Sequence, residues 1–164
     1  MFQVKYGLDH FIGIYRTDGD DAAAGIYIRG TALDISAATR NSAEVNKVLT
    51  AATGEYLGFL EQDTTAAGAS YLQQDQNIPT MVAQAGVDRV TIRQGDGKIV
   101  TDVVAGYGED GDMSNVTANA QLAIVNGVWA LASAVTAITT VVSGRYIGTW
   151  TGPRGETGYY IEVF

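Results

Sequence analysis

Hydrophobic and polar residues alternate with a period of two through much of this chain, as in strands that bury one face. Gly25-Ile-Tyr-Ile-Arg29 alternates, and over residues 87–93 Val90 and Ile92 fall on one face, with Arg89, Thr91 and Arg93 on the other. Gln94-Gly-Asp-Gly97 then reads as a turn into a second strand over 98–104, making a hairpin. Asn126-Gly127, between apolar runs at 122–125 and 128–131, is a stronger hairpin signal, because Asn and Gly accept the positive φ of a two-residue turn. The chain closes on a strand pattern over 158–164 that sets Tyr159, Ile161 and Val163 on one face. Helical spacing is scarce. Val45, Val48, Leu49 and Ala52 predict one short helix within 42–52, while 130–142 mixes helix-favouring Ala with strand-favouring Val, Ile and Thr. Twenty Gly and two Pro suit short strands joined by tight turns. The expected fold is mainly β: a compact antiparallel β-barrel or sandwich with at most one or two short helices.

One internal echo bears on domain organisation. Gly54-Glu-Tyr56-Leu57-Gly58 returns as Gly144-Arg-Tyr146-Ile147-Gly148, and the same offset carries Gly68 onto Gly158. On each side one strand face reads Tyr, Gly, then a large residue: Tyr56, Gly58, Leu60 and Tyr146, Gly148, Trp150. An aromatic lying over a strand glycine fills the space its missing side chain leaves. Two readings stand: coincidence in a chain rich in Gly and Tyr, or a duplicated β unit with halves at roughly 12–80 and 87–164. Either way 164 residues make one compact domain, 1–164.

Composition narrows the chemistry. Hydrophobic residues make up 46% and charged residues 17%, which excludes intrinsic disorder and coiled coil. Without Cys there is no disulfide framework and no thiolate metal site, and a single His, His10, rules out a polyhistidine site within one chain. Ten Lys and Arg against eighteen Asp and Glu give a net charge of −8, with no basic stripe to neutralise phosphates, so neither nucleic acid nor an anionic membrane is an expected partner. Residues 1–8 carry no apolar core of a secretory signal. The nearly uncharged stretch 122–142 is long enough to span a bilayer, but Asn126-Gly127 and recurrent Ser and Thr favour a hairpin instead.

Each motif meets a plainer reading. Gly106-Tyr-Gly108-Glu-Asp-Gly111 has the GxGxxG spelling, yet its acidic residues would sit where a pyrophosphate must go and no βαβ pattern surrounds it. The acidic stretches 18–21 and 109–112 are oxygen-rich but lack the spacing of a calcium loop, and read as solvated turns. Asn115-Val-Thr117 is a glycosylation sequon without a secretory context. A nucleophilic Ser or Thr would have only His10 as its base, and eighteen carboxylates single out no acid–base pair. No cofactor, metal or catalytic residue is expected, and the reading is non-enzymatic.

With those residues in hand, the chain resembles the capsid decoration (cement) proteins of tailed bacteriophages. The resemblance rests on Gly54-Glu-Tyr-Leu-Gly-Phe-Leu60, on 87–104 with its Gly-Asp-Gly element, and on Gly144-Arg-Tyr-Ile-Gly-Thr-Trp150 leading into 158–164. It covers about the last two-thirds of the chain; residues 1–45 carry none of it. The resemblance implies a virion structural protein on the outer capsid surface, bound to the major capsid protein as a homotrimer and bracing subunit contacts. In such a role modest contacts multiply across a seam.

Phe2, Val4, Tyr6, Leu8, His10 and Phe11 are the candidate partner interface. Their near-alternation predicts either an arm, residues 1–11, that docks by strand addition or the ordinary first strand of the domain. Two rival functions are a carbohydrate- or receptor-binding β module of a phage tail or surface structure, with exposed Tyr and Trp in a groove, and a small β-barrel enzyme assembled across an oligomer interface.

Overall fold

The computed structural model of the chain describes residues 1–17, 27–40, 46–54, 58–65, 82–84, 90–104, 113, 116–135 and 142–164. The fold is mainly β, as the alternation predicts: one largely antiparallel sheet curled into a half-barrel, with a single 3-10 turn, Ala132–Ala134, as its helical content among the described residues. The strands are β1 (Phe2–Thr17), β2 (Ala32–Arg40), β3 (Asn46–Thr50), β4 (Gly58–Leu60), β5 (Asp63–Thr65), β6 (Val82–Gln84), β7 (Val90–Thr101), β8 (Gln121–Val125), β9 (Val128–Leu131), β10 (Gly144–Thr151) and β11 (Thr157–Val163). Nine strands form the main sheet in the order β1-β3-β2-β4-β7-β11-β10-β8-β9, and β5 and β6 make a separate parallel pair.

β7 is the hub. One of its edges takes β1 along nearly its whole length, from Phe2 opposite Thr101 to Tyr15 opposite Val90. The other edge takes β4 at Ile92 and Arg93 and then β11 from Gly97 to Thr101. Because β1 also pairs with β3, the pairing runs from β7 through β4, β2 and β3 to β1 and returns to β7. Leu33, Leu60, Val90 and Ile92 form a small core there, flanked by Tyr15 and Tyr27. The larger core gathers Phe59, Ile99, Leu122, Ile124, Trp129, Tyr146 and Ile161, with Phe59 stacked on Trp129 at 5.7 Å.

Three expectations are corrected. Residues 46–50 form a strand, not the helix predicted within 42–52: they lie between β1 and β2 and bond to both, and that pairing outweighs the helical spacing of one face. Gln94-Gly-Asp-Gly97 does not turn the chain, because β7 runs through it without reversal. Gly97 serves close approach instead, while Gly95 takes a positive φ of 98°. Gly7 of β1 pairs with Gly97, and a Cβ on Gly97 would collide with Leu8 Cδ1 and the Tyr6 carbonyl oxygen. Finally, residues 27–30 are not strand. Their end is a turn in which Thr31 N–H donates to the Ile28 carbonyl at 3.1 Å, leaving Ile28 exposed. The stretch 136–141, part of the ambiguous 130–142 run, lies outside the described residues.

The Asn126-Gly127 hairpin holds as predicted, with φ of 48° and 79° at its two central residues. Its tip does more than reverse the chain. Gly127 N–H donates to the Ala51 carbonyl at 2.7 Å, and Ala32 N–H donates to the Gly127 carbonyl at 2.8 Å, so the tip is sewn to the ends of β2 and β3. A Cβ at Gly127 would meet Thr31 Cγ2 at 2.8 Å and the Ala32 carbonyl oxygen at 3.0 Å. Gly127→Ala is therefore expected to lower stability by about 2–4 kcal/mol, from the positive φ and the forced displacement together. Urea denaturation would read this as a lower midpoint with unchanged slope. An unshifted midpoint would mean that the tip is not packed as described.

The echoed blocks both enter the main sheet, β4 beside β2 and β7, and β10 between β11 and β8. The space over Gly58 belongs to Ile92, whose Cγ2 a Cβ would strike, whereas nothing lies within 4 Å over Gly148. Tyr56, Leu57 and Gly68 fall outside the described residues.

Candidate functional site

The six candidate interface residues separate. All lie in β1, whose backbone is bonded along β7, so 2–11 form the first strand of the sheet and not a detached arm. Phe2 packs on the Phe59 ring at 5.7 Å, Val4 lies against the main core, and Leu8 is buried within it. Tyr6 stands out as 75% exposed. His10 is part of a polar cluster, and Phe11 is fixed by its backbone pairing with Ile92.

Bulges in the β1–β7 pairing explain why strict alternation fails. Register shifts fall between Val4 and Tyr6, where β1 carries the extra residue, between Gly7 and Asp9, where β7 carries it, and again between Ile12 and Tyr15. The first turns Tyr6 to the outer face. The second, with Leu8 at φ 53°, drives Leu8 back to the core over Gly97. A sequence pattern with period two cannot anticipate inserted residues. Gly7 and Gly97 were the available signal: the Gln94–Gly97 element reads as a turn, but the Gly7–Gly97 pair marks a close strand approach.

Two arrangements of polar side chains result. In one, Glu61 grips two neighbours from adjacent strands: its Oε1 accepts from Arg93 Nε at 2.5 Å, and its Oε2 lies 3.0 Å from His10 Nε2. This ties β1 and β7 to the segment after β4. These side chains are between a fifth and two-fifths exposed, a setting in which such pairs contribute little net stability.

The other arrangement is an open cleft of about 500 Å³ lined by Tyr6, Asp96, Lys98, Arg145, Glu162 and Phe164, with Gly97 between Asp96 and Lys98. Four of these form a row across the sheet: Tyr6 opposite Lys98, Lys98 opposite Glu162, and Glu162 opposite Arg145. At about 4.8 Å per strand the row spans about 14 Å. Arg145 Nε donates to Glu162 Oε2, while Phe164 is 51% exposed at the same cleft. Nearby, Lys5 Nζ sits 4.9 Å from the centre of the Trp150 ring and donates to Gln3 Oε1 at 2.7 Å. None of Asp96, Lys98, Arg145, Glu162 or Phe164 belongs to the sequence-derived candidates, since only strand pairing brings residues from four distant segments together.

The acidic stretches 18–21 and 109–112, the glycine pattern 106–111 and Asn115 lie outside the described residues. Among the described residues no three His, Asp or Glu side chains are placed to hold a metal ion, and no helix is long and apolar enough to cross a membrane. Comparison of the chain with protein-family models, curated proteins and solved structures finds no match.

Proposed function

We propose that this chain is a non-enzymatic virion structural protein that binds the outer surface of a phage head and cements contacts between major capsid protein subunits, acting as a homotrimer. The sequence resemblance suggests the class, and one structural observation supports the means of attachment. β1 is sixteen residues long, bonded to β7 along one edge, but its other edge meets a described strand only at Tyr15–Thr17, where β3 pairs with it. From Phe2 to Ile14 that edge can accept a strand from a capsid subunit or a sibling chain. The bulges divide it, leaving Asp9–Ile12, which includes His10 and Phe11, as a regular run for added hydrogen bonds. The docking element in this reading is thus the receiving edge of β1, with the donated strand coming from the partner.

The test is mass-resolved size-exclusion chromatography of the purified chain, alone and mixed with assembled heads of its source phage. A trimer that co-elutes with heads is the expected result. A monomer that stays separate from the heads would overturn the proposal.

A further inference from the structure

We propose that the cleft between Tyr6 and Arg145 is a binding site for a neutral, hydroxyl-rich ligand, a short oligosaccharide. This goes beyond head binding and does not depend on it, because the cleft uses the outer sheet face and strand addition uses the lateral edge of β1.

The first argument is Tyr6 itself. It is the most exposed large hydrophobic side chain among the described residues, and it is turned outward by a bulge. Bulges recur where a strand must re-aim a functional side chain. A lone exposed aromatic needs no explanation. Here, however, the aromatic borders a cleft of ligand-binding size together with four charged groups.

The second argument is the charge balance of the lining. Lys98 and Arg145 are offset by Asp96 and Glu162, so the cleft favours neither an anion nor a cation, although the whole chain carries −8. It does present donors and acceptors in alternation, with Lys98 Nζ making no hydrogen bond or ion pair among the described residues and the Arg145–Glu162 pair retaining further donor and acceptor positions. A ligand that matches both features needs hydroxyls that donate and accept, plus an apolar C–H face for the Tyr6 ring. Sugar rings have both. A nucleotide or acidic peptide would bring charge that Asp96 and Glu162 oppose.

The backbone beneath the row is well supported: Lys98 lies in the hub strand, between β1 and β11, and Glu162 pairs with Arg145. Fixed strand spacing presets the backbone positions from which the lining side chains project.

The experiment titrates the ¹⁵N-labelled full chain with maltotriose, cellotriose, chitotriose and mannotriose at millimolar concentration, with heparin as a polyanion control. Saturable shifts centred on Tyr6, Lys98, Arg145 and Glu162 with at least one trisaccharide, and none there with heparin, are expected. Tyr6→Ala should weaken that binding about tenfold and Tyr6→Phe should retain it. Both variants alter an exposed side chain, and their spectra would report directly that they fold. Absence of saturable shifts with all four trisaccharides, or binding indifferent to Tyr6→Ala, overturns the assignment. Tyr6→Ala is expected to leave co-elution with heads intact. If it abolishes that co-elution while no sugar binds, the cleft is a head contact and the sugar assignment is wrong.

Discussion

A chain lacking residues 1–11 should fail to fold. Phe2 and Val4 pack against the main core and Leu8 is buried within it, and removing three such side chains forfeits on the order of 5 kcal/mol of burial. Total stabilities of domains this size are about 5–15 kcal/mol. The truncation also strips most of the β1 ladder from β7, leaving backbone groups of the hub strand without partners from Ile92 to Thr101 on one edge. Circular dichroism and a one-dimensional proton spectrum would read the outcome as loss of strand signal and of dispersed methyl resonances. A truncated chain that still unfolded cooperatively would show that 1–11 are an appendage, and would return the strand-addition role to those residues as a donated arm. This result matters for function because it decides which partner contributes the strand.

Trp129→Ala is expected to cost about 3–5 kcal/mol, as large-to-small changes of buried aromatics do. Trp129 is 1% exposed, stacks on Phe59 and presses its ring edge toward Gly144, where an added Cβ would come within 3.0 Å of Cη2. Its backbone contributes as well, through Trp129 N–H donating to the Val103 carbonyl at 3.2 Å and a bridge to Val104. The side chain therefore sits where β9 returns to the chain beyond β7. The indole N–H is buried with no hydrogen-bond partner among the described residues. Trp129→Phe removes that unsatisfied donor along with part of the ring, so its loss should be clearly smaller than that of Trp129→Ala. Chemical denaturation of the three proteins separates these effects. Equal losses for Ala and Phe would mean that ring volume at this position is not what holds the core.

The two variants probe different layers of the architecture. Truncation removes a strand that every part of the β1–β3–β2–β4–β7 circuit depends on, whereas Trp129→Ala leaves all pairings in place and hollows the space they enclose. A domain with one main sheet and two core clusters should lose cooperativity in the first case and stability alone in the second.

Legibility differed between elements for identifiable reasons. The β8–β9 hairpin was readable because its information is local: Asn126 and Gly127 adopt the positive φ that the turn requires, and the flanking runs pair directly. The last strand was readable because Tyr159, Ile161 and Val163 face one core and are all buried. The stretch 46–50 was misread because its side chains suit either period and only the flanking strands choose between them. The Gly95-Asp-Gly97 element was misread because glycine marks tight turns and close strand approach alike, and the partner that distinguishes them, Gly7, is ninety residues away. The cleft was invisible for a related cause: Tyr6, Lys98, Arg145 and Glu162 become neighbours through three separate strand pairings.

By itself the sequence determined the class of structure, because burial on one face of a strand writes a period of two into the residues that form it. It also determined the excluded chemistry: without Cys, no thiolate is available, and with one His no polyhistidine site forms within the chain. The tertiary structure decided the rest. It set which strands pair, where bulges break the alternation, and which outward side chains share a surface. Those outcomes depend on contacts between distant segments, whose geometry no local pattern encodes.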